Sequence, residues 1–527
     1  MNNYLGHINK LKTLQEDYMA QIQVLYKDTF TVKLVLQRSD AYDLRKNLNA
    51  WFAQFTANYQ FDWRFKNRRW DGKIRFYNSR ESTIPRGLIS ELKKFAKTFD
   101  YSIDIDDGIY IDNFTDASKD EIQDFIFTFV KSLNLPFEPR SYQYKYFAKF
   151  VQKNIELLIS PTSSGKSLII YMALRYALSI LPKDQKALII VPTIQLVDQM
   201  YGDFEEYGFN SEKHCARIYS GSRDQNVKLK TDKKVILSTW QSLYKLPKSE
   251  FKDIGFITAD EIHRFGAKES KTVITNCDNA IFRMGTTGTL QDSDKCSLWT
   301  IQGMFDEPVK YVSTKNLIDK GHISDVGIEV LNLIYPDDMC KICKDFAYND
   351  EIDYISLQED RVNLIVKLVK RLLKKDENVL LLFSKIEYGR RIKEAIEEQI
   401  YDNKQEVAYV DGTITMKYRE GIRKEMENAS GIPLVASYGT FSTGINIRNL
   451  HHVVLLNSTK AEIKLLQSIG RTLRLHKSKT KAKIWDIVDN LSYKKRMNYA
   501  LRHFVERKKI YAKEVFNISF HDIKMYK

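Results

Sequence analysis

The amino-acid sequence predicts an α/β protein with two parallel sheets, preceded by a smaller α/β domain. Three observations carry this reading. The chain has 527 residues, more than one hydrophobic core usually holds. From residue 136, short apolar runs alternate with helix-period segments: IELLIS, KALIIVP, KVILSTW and DIGFITA. After about residue 375 a second series follows: NVLLLFS, QEVAYVDG, IPLVASYG, HHVVLLN and KAKIWDIVD. Apolar strands separated by helices imply a parallel sheet covered on both faces.

In chain order, residues 1–28 read as a polar lead-in with helical tendency and 29–110 as the small α/β domain. Residues 111–135 read as a helical connector, with Ile122, Phe125, Ile126 and Phe129 on one stripe. The first lobe is expected over 136–310, a junction without strand rhythm over 311–360, and the second lobe over 361–527, ending in a helical segment. Within the small domain, FDWRFKNRRWDGKIRFY reads as a β-hairpin, because Asp71-Gly72 is a two-residue turn signal. Phe61, Trp63 and Phe65 alternate with Asp62, Arg64 and Lys66, so the rings are expected in the core and a charged face outside. Arg64, Lys66, Arg68, Arg69, Lys73 and Arg75 set six cations against two aspartates over 61–75, a balance that favours phosphate contact.

Charge points the same way. Lys and Arg outnumber Asp and Glu by 82 to 67, a net +15, which suits a polyanionic partner. No run of eighteen apolar residues predicts a membrane span, and the N-terminus lacks a secretory apolar core. Five cysteines form no disulfide framework, so a reducing compartment is expected. Cys340 and Cys343 form one CxxC without a second pair, and read as two ordinary thiols rather than zinc ligands.

The segment IELLISPTSSGKSLIIYMALRYAL carries chemistry. An apolar strand runs into Ser160-Pro161-Thr162-Ser163-Ser164-Gly165-Lys166-Ser167 and then a helix. A loop at a helix N-terminus presents free backbone N–H groups to phosphate. Gly165 lets the backbone approach closely, Lys166 can reach the β and γ phosphates, and Ser167 can ligate Mg²⁺. Ser160 stands where the common GxxxxGK[ST] pattern has glycine. Ninety-four residues beyond Lys166, the apolar run of DIGFITADEIH ends in Asp260-Glu261-Ile262-His263. Asp260 is expected to hold Mg²⁺ and Glu261 to orient or deprotonate the attacking water. Arg140 and Gln143, in RSYQ upstream of the loop, suit adenine recognition, since a glutamine can pair bidentately with the N6/N7 edge.

Further motifs follow in order: VPTIQLVDQ (191–199), STWQS (238–242), TGT (287–289), LLFSK (381–385), SYGTFSTGINI (437–447) and QSIGRTLR (467–474). Together they resemble a superfamily two helicase of the DExH type, which implies two RecA-like lobes and the use of ATP and Mg²⁺. The pair FKNRRWDGKIRFY and TIPRGLISELKKF, ahead of such a motor, is similar to the N-terminal module of UvsW-type phage helicases. Motif by motif, the resemblance implies that Gln143, Lys166, Ser167, Asp260, Glu261 and Gly444 serve nucleotide and metal. It implies that His263, Thr287 and Thr289 relay between ATP and nucleic acid. Pro192, Thr193, Gln199, Thr239, Ser384 and Thr440 would line the nucleic-acid groove. Gln467, Arg471 and Arg474 would complete the ATP site, the arginines as fingers worth roughly 10³–10⁵ in rate. Asn446 stands where many relatives carry Asp, which puts a carboxylate role there in doubt.

The function implied is that of an ATP-dependent DNA helicase or translocase. It would remodel forks, Holliday junctions and R-loops in recombination, replication and repair, as a monomer in the host cytoplasm. Single-stranded DNA, duplex DNA and RNA–DNA hybrid are the further partners expected. Two other enzyme readings are an RNA-directed helicase and the motor subunit of a restriction enzyme. A nucleic-acid-binding scaffold with a dead ATP site is a non-enzyme reading, against which Lys166, Asp260, Glu261 and Arg471 argue.

Overall fold

In a computed structural model of the chain the two series of apolar runs form two seven-stranded sheets. The structure describes residues 21–37, 41–109, 113–114, 116–219, 229–264, 268–288, 295–444, 447–457, 470 and 481–525. Contacts divide the chain into two units, residues 1–160 with 166–311 and residues 161–165 with 312–527.

The first unit begins with a small sheet. Its first strands are β1 (Ile22–Tyr26) and β2 (Thr31–Leu36). A two-stranded ribbon follows, β3 (Ala53–Phe55) with β4 (Lys73–Arg75), then β5 (Thr83–Pro85) and β6 (Ile103–Ile105). The four-stranded order is β5-β2-β1-β6, antiparallel except for β1 with β6. The lead-in predicted over 1–28 therefore ends earlier: β1 lies inside the small sheet, with Ile22 and Val24 buried in its core. That core is completed by Cys296 and Trp299, from the helix Lys295–Phe305 of the larger part of the unit. Trp299 meets Phe52 and Phe76 at ring distances of 5.6 Å. A Cβ on Gly87 would lie 1.8 Å from the Gln302 carbonyl, so only glycine admits this contact.

The ribbon differs from the predicted hairpin. Trp63–Lys66 is a turn of helix, started by Asp62, whose side chain accepts the Arg64 N–H at 2.8 Å. The strand opposite β4 is β3, with Ala53 across from Arg75. The rings expected in the core are not all there: Phe61 is 73% and Trp63 59% exposed, and Ile74 also faces solvent. Phe76 is buried.

The first parallel sheet comprises β7 (Ile155–Ile159), β8 (Lys186–Val191), β9 (Cys215–Ile218), β10 (Val235–Thr239), β11 (Ile254–Ala259), β12 (Phe282–Thr287) and β13 (Pro308–Val309). Its order is β13-β7-β12-β11-β8-β10-β9, all parallel. Residues of β8, β10, β11 and β12 are buried almost throughout, which is why they read as continuous apolar runs. The connector helix, Lys119–Ser132, has a capping box of Ser118 with Glu121.

The second unit holds β14 (Asp325–Ile334), β15 (Val379–Phe383), β16 (Ala408–Val410), β17 (Pro433–Ser437), β18 (His452–Leu455), β19 (Lys481–Asn490) and β20 (Asn517–Lys524). The order β16-β17-β15-β18-β19-β14-β20 is parallel throughout. The segment 311–360 is thus more than a junction, because β14 pairs with β19 over ten residues. The C-terminus is a helix, Tyr499–Lys513, followed by β20. Two acids of β19 are buried against arginines: Asp489 takes Arg361 at 2.7 and 3.0 Å, and Asp486 takes Arg507 at 2.9 and 2.8 Å. Cys340 and Cys343 lie in the helix Asp337–Cys343 and pack into the same core, where burial pushes both thiols up. Among the described residues no helix is long and apolar enough to cross a membrane.

Candidate nucleotide and nucleic-acid site

In open parallel sheets, ligands bind beyond the carboxyl ends of the strands. Ser160, Lys166, Asp260, Glu261 and His263 of the first unit gather there. β7 ends at Ile159, and Ser160 donates its N–H to the Thr287 carbonyl at 2.9 Å. The chain turns through Pro161, Thr162, Ser163, Ser164 and Gly165, with Ser163 and Gly165 at φ of 66° and 77°. Left-handed residues in a tight loop turn successive N–H groups toward one concavity, the geometry that suits a phosphate. The helix Lys166–Ile180 begins immediately after, apolar on nearly every side and buried along most of its length.

β11 delivers the acids. Its last residue, Ala259, is buried, and the Asp260 N–H continues the ladder to the Ile190 carbonyl at 2.9 Å. Glu261 then takes φ of 51°, an uncommon conformation for a residue with a Cβ. That turn brings its Oε1 to 3.5 Å from Lys166 Nζ. Asp260 Oδ1 accepts from Thr286 Oγ1 at 2.5 Å and from the Glu261 N–H at 2.9 Å. Burial, and then the Glu261 charge beside it, push the Asp260 carboxyl up to about 6, against the opposing pull of Lys166. Two acids facing one lysine leave the site electron-rich and short of positive charge.

His263 closes the cluster. Its Nδ1 lies 2.8 Å from Thr287 Oγ1 and 3.3 Å from Glu261 Oε2, so one ring links the end of β11 to the end of β12. Ser167 Oγ lies 2.9 Å from the Tyr207 hydroxyl. Neither Thr286 nor Tyr207 was legible as a site residue: both contacts join positions tens of residues apart, and neither residue belongs to a short motif. Arg140 and Gln143 open the helix Ser141–Lys153, which Tyr146 ties to β7 by donating to the Ile159 carbonyl at 2.5 Å. Gln143 is buried, and its Oε1 accepts the Arg140 N–H at 2.7 Å.

The residues expected to meet nucleic acid also sit at strand ends. Pro192 and Thr193 follow β8, and Thr193 caps the helix Ile194–Glu206, on which Gln199 is exposed. Thr239 ends β10, buried, with its hydroxyl 3.0 Å from that of Ser242. In the second unit Ser384 follows β15 and is exposed. Thr440, beyond β17, hydrogen-bonds Ser437 Oγ, and Gly444 ends the helix Tyr438–Gly444. Thr289, Asn446, Gln467, Arg471 and Arg474 lie outside the described residues. Of the ribbon cations, Arg64 is paired with Asp62 and Arg75 with Asp71. Lys66, Arg68, Arg69 and Lys73 make no ion pair with a carboxylate among the described residues.

Three families match the chain. They are described as "DNA helicase UvsW, N-terminal" over residues 21–106, "Type III restriction enzyme, res subunit" over 136–292, and "Helicase conserved C-terminal domain" over 360–476. The chain is 35% identical over 508 residues to the ATP-dependent DNA helicase uvsW of Enterobacteria phage T4, covering 94% of this chain and 98% of that protein. The crystal structure of T4 UvsW aligns over 96% of this chain and 99% of its own at 33% identity, with a TM-score of 0.49. S. cerevisiae Dbp5 bound to RNA and ADP BeF3 aligns over 77% of this chain and 95% of its own at 13% identity and a TM-score of 0.53, a likeness of fold alone. With its N-terminal module, its two parallel sheets and its near-complete alignment to the phage T4 protein, the chain belongs to the UvsW family of superfamily two ATP-dependent helicases.

Proposed function

We propose that this helicase works on DNA and remodels branched intermediates: forks, Holliday junctions and R-loops formed in recombination, replication and repair. The observation that carries the reading is the linked cluster of Lys166, Glu261, His263 and Thr287 in a chain whose N-terminal ribbon holds cations with no carboxylate partner among the described residues. The phage T4 relative is an ATP-dependent DNA helicase, which supports DNA over RNA.

In this reading the backbone of Ser163 to Gly165 and Lys166 receive the phosphates, with Gln143 and Arg140 on the adenine side, and Gly444 serves the nucleotide by resemblance. Glu261 orients and deprotonates the attacking water, and His263 with Thr287 and Thr289 passes the state of that site toward the groove. Gln467, Arg471 and Arg474 complete the site by resemblance. The oxygen donors Asp260 and Ser167 fit Mg²⁺, a hard cation held through few protein ligands and the substrate phosphates. A divalent cation would also offset the Glu261 charge, which after burial is the second cause that holds the Asp260 carboxyl up. When bound, it supplies charge neutralisation at the phosphates. Pro192, Thr193, Gln199, Thr239, Ser384 and Thr440 would grip one strand, and the ribbon cations the adjoining DNA. A monomer in the host cytoplasm fits this work.

ATPase stimulation tests the reading. Turnover should rise more with forked and four-way DNA than with RNA or blunt duplex of equal length. Greater stimulation by RNA would turn the proposal toward an RNA motor.

A further inference from the structure

The ribbon of the N-terminal module carries more aromatic surface than its own folding uses. Phe52 and Phe76 are buried in the module, but between them Gly72 alone is buried. The excursion has a small core of its own. Phe55 stacks on Tyr59 at 4.5 Å, and Tyr59 meets Phe65 edge-on at 4.8 Å. Gly72, at φ of 79°, presses so close that a Cβ there would come within 2.5 Å of the Tyr59 ring. These contacts account for Phe55, Tyr59 and Phe65. They do not account for Phe61 and Trp63, which turn outward at 73% and 59% exposure. Nor is their exposure a loose end of the chain. Asp62 lies between them and holds the start of the helical turn through the Arg64 N–H, which fixes the backbone that carries both rings.

Each exposed ring has a cation beside it. Lys66 Nζ lies 6.0 Å from the Phe61 ring and the Arg69 guanidinium 5.7 Å from that of Trp63. Among the described residues neither cation is neutralised by a carboxylate, whereas Arg64 and Arg75 are. A flat π face next to an unneutralised cation matches one ligand chemistry in two places: an unpaired base stacks on the ring while its phosphate meets the charge. An intact duplex offers phosphates but no free base faces, so it would use the cations and leave the rings idle.

We infer that Phe61 and Trp63 are stacking platforms for unpaired bases, and that they give the module its hold on the single-stranded part of a branched nucleic acid. The inference rests on the proposed action on branched DNA and names the groups that recognise the branch. Stacking is sequence-tolerant, because every base has a π face, so no base preference is expected at these positions.

The test uses the full chain and a DNA fork with a fluorescent purine analogue at the first unpaired position. Wild type should quench the probe on binding. Phe61→Ala with Trp63→Ala should remove the quenching and weaken fork binding by roughly 10-fold or more. Affinity for blunt duplex and the salt dependence should stay as in wild type, since no charge has changed. The complementary variant, with Lys66, Arg68, Arg69 and Lys73 changed to Ala, should flatten the salt dependence for fork and duplex alike. Because both rings are exposed, their removal leaves the core intact, and an unchanged melting temperature verifies this. A second ring variant, Phe61→Leu with Trp63→Leu, keeps apolar bulk without a π face and should behave like the alanine pair. Full rescue by leucine, or unchanged quenching in the alanine pair, would overturn stacking while leaving the helicase reading intact. Failure of wild type itself to bind forks above blunt duplex would overturn both.

Discussion

Replacing Asp260 with asparagine should make the ligand-free protein harder to unfold while abolishing its ATPase activity. The carboxyl is pushed up to about 6 from an ordinary 3.8, chiefly by burial and then by the Glu261 charge. A gap of that size costs the folded state about 3 kcal/mol once the group is ionised. The sign follows from proton binding. Between about pH 4 and about pH 6 the folded protein holds a proton on Asp260 that the unfolded chain has lost. Stability therefore falls as pH rises through that window, and the full cost is present above it. Asparagine has no such dependence. It keeps an oxygen to accept from Thr286 and from the Glu261 N–H, and it brings amide donors rather than a second negative charge beside Glu261. The variant should gain about 3 kcal/mol at about pH 7.5 and roughly half of that at about pH 5. For a unit of this size that is about 5 °C in the first thermal transition at neutral pH. The assay is differential scanning fluorimetry of both proteins from about pH 5 to about pH 8, without nucleotide and then with Mg²⁺ and a non-hydrolysable ATP analogue. In the second arm wild type should gain from Mg²⁺ beyond the gain from nucleotide alone, and the variant should not. An Asp260→Asn protein no more stable than wild type at neutral pH would refute the account of a charge-strained site. A variant that keeps the Mg²⁺-dependent gain would remove Asp260 from the metal.

Other expectations follow from neighbouring residues. Lys166→Ala and Glu261→Gln should each abolish hydrolysis with DNA binding retained, and Glu261→Gln should still bind ATP analogue by fluorescence titration; wild-type turnover in Glu261→Gln would remove that residue from water activation. Arg471→Ala and Arg474→Ala should lower kcat by roughly 10³-fold or more while nucleotide affinity changes little, because the charge they meet develops in the transition state; steady-state kinetics beside analogue binding separates the two quantities. Asp486→Ala should destabilise the second unit by about 3–5 kcal/mol, since Arg507 would remain buried without its bidentate partner, and thermal unfolding should show it.

The parts of this molecule that were legible in the sequence are those set by short local patterns. The loop around Lys166 and the acids after DIGFITA could be read because a strand, a turn and a helix start follow one another within a few residues. The continuous apolar runs gave their strands because both faces of each sheet are covered. β14 was missed for the opposite reason. Its sequence DVGIEVLNLI alternates buried with half-buried positions and carries charge, and its partners β19 and β20 lie far along the chain. The ribbon misled through a true signal. Asp71-Gly72 does turn the chain into β4, but the opposing strand lies at 53–55, because Asp62 caps a helical turn where alternation suggested a strand. Local alternation of aromatic and charged residues cannot tell a strand from one turn of helix, and the rings changed sides with it.

Strand displacement on a matched panel tests the central claim most directly. Forks, four-way junctions, R-loops and linear duplexes of equal pairing length would be offered to wild type and to Lys166→Ala, with ATP and with its non-hydrolysable analogue. The account predicts ATP-dependent displacement by wild type alone, faster on the branched substrates than on linear duplex. Displacement that is equal on branched and linear DNA, or that persists in Lys166→Ala, would contradict it.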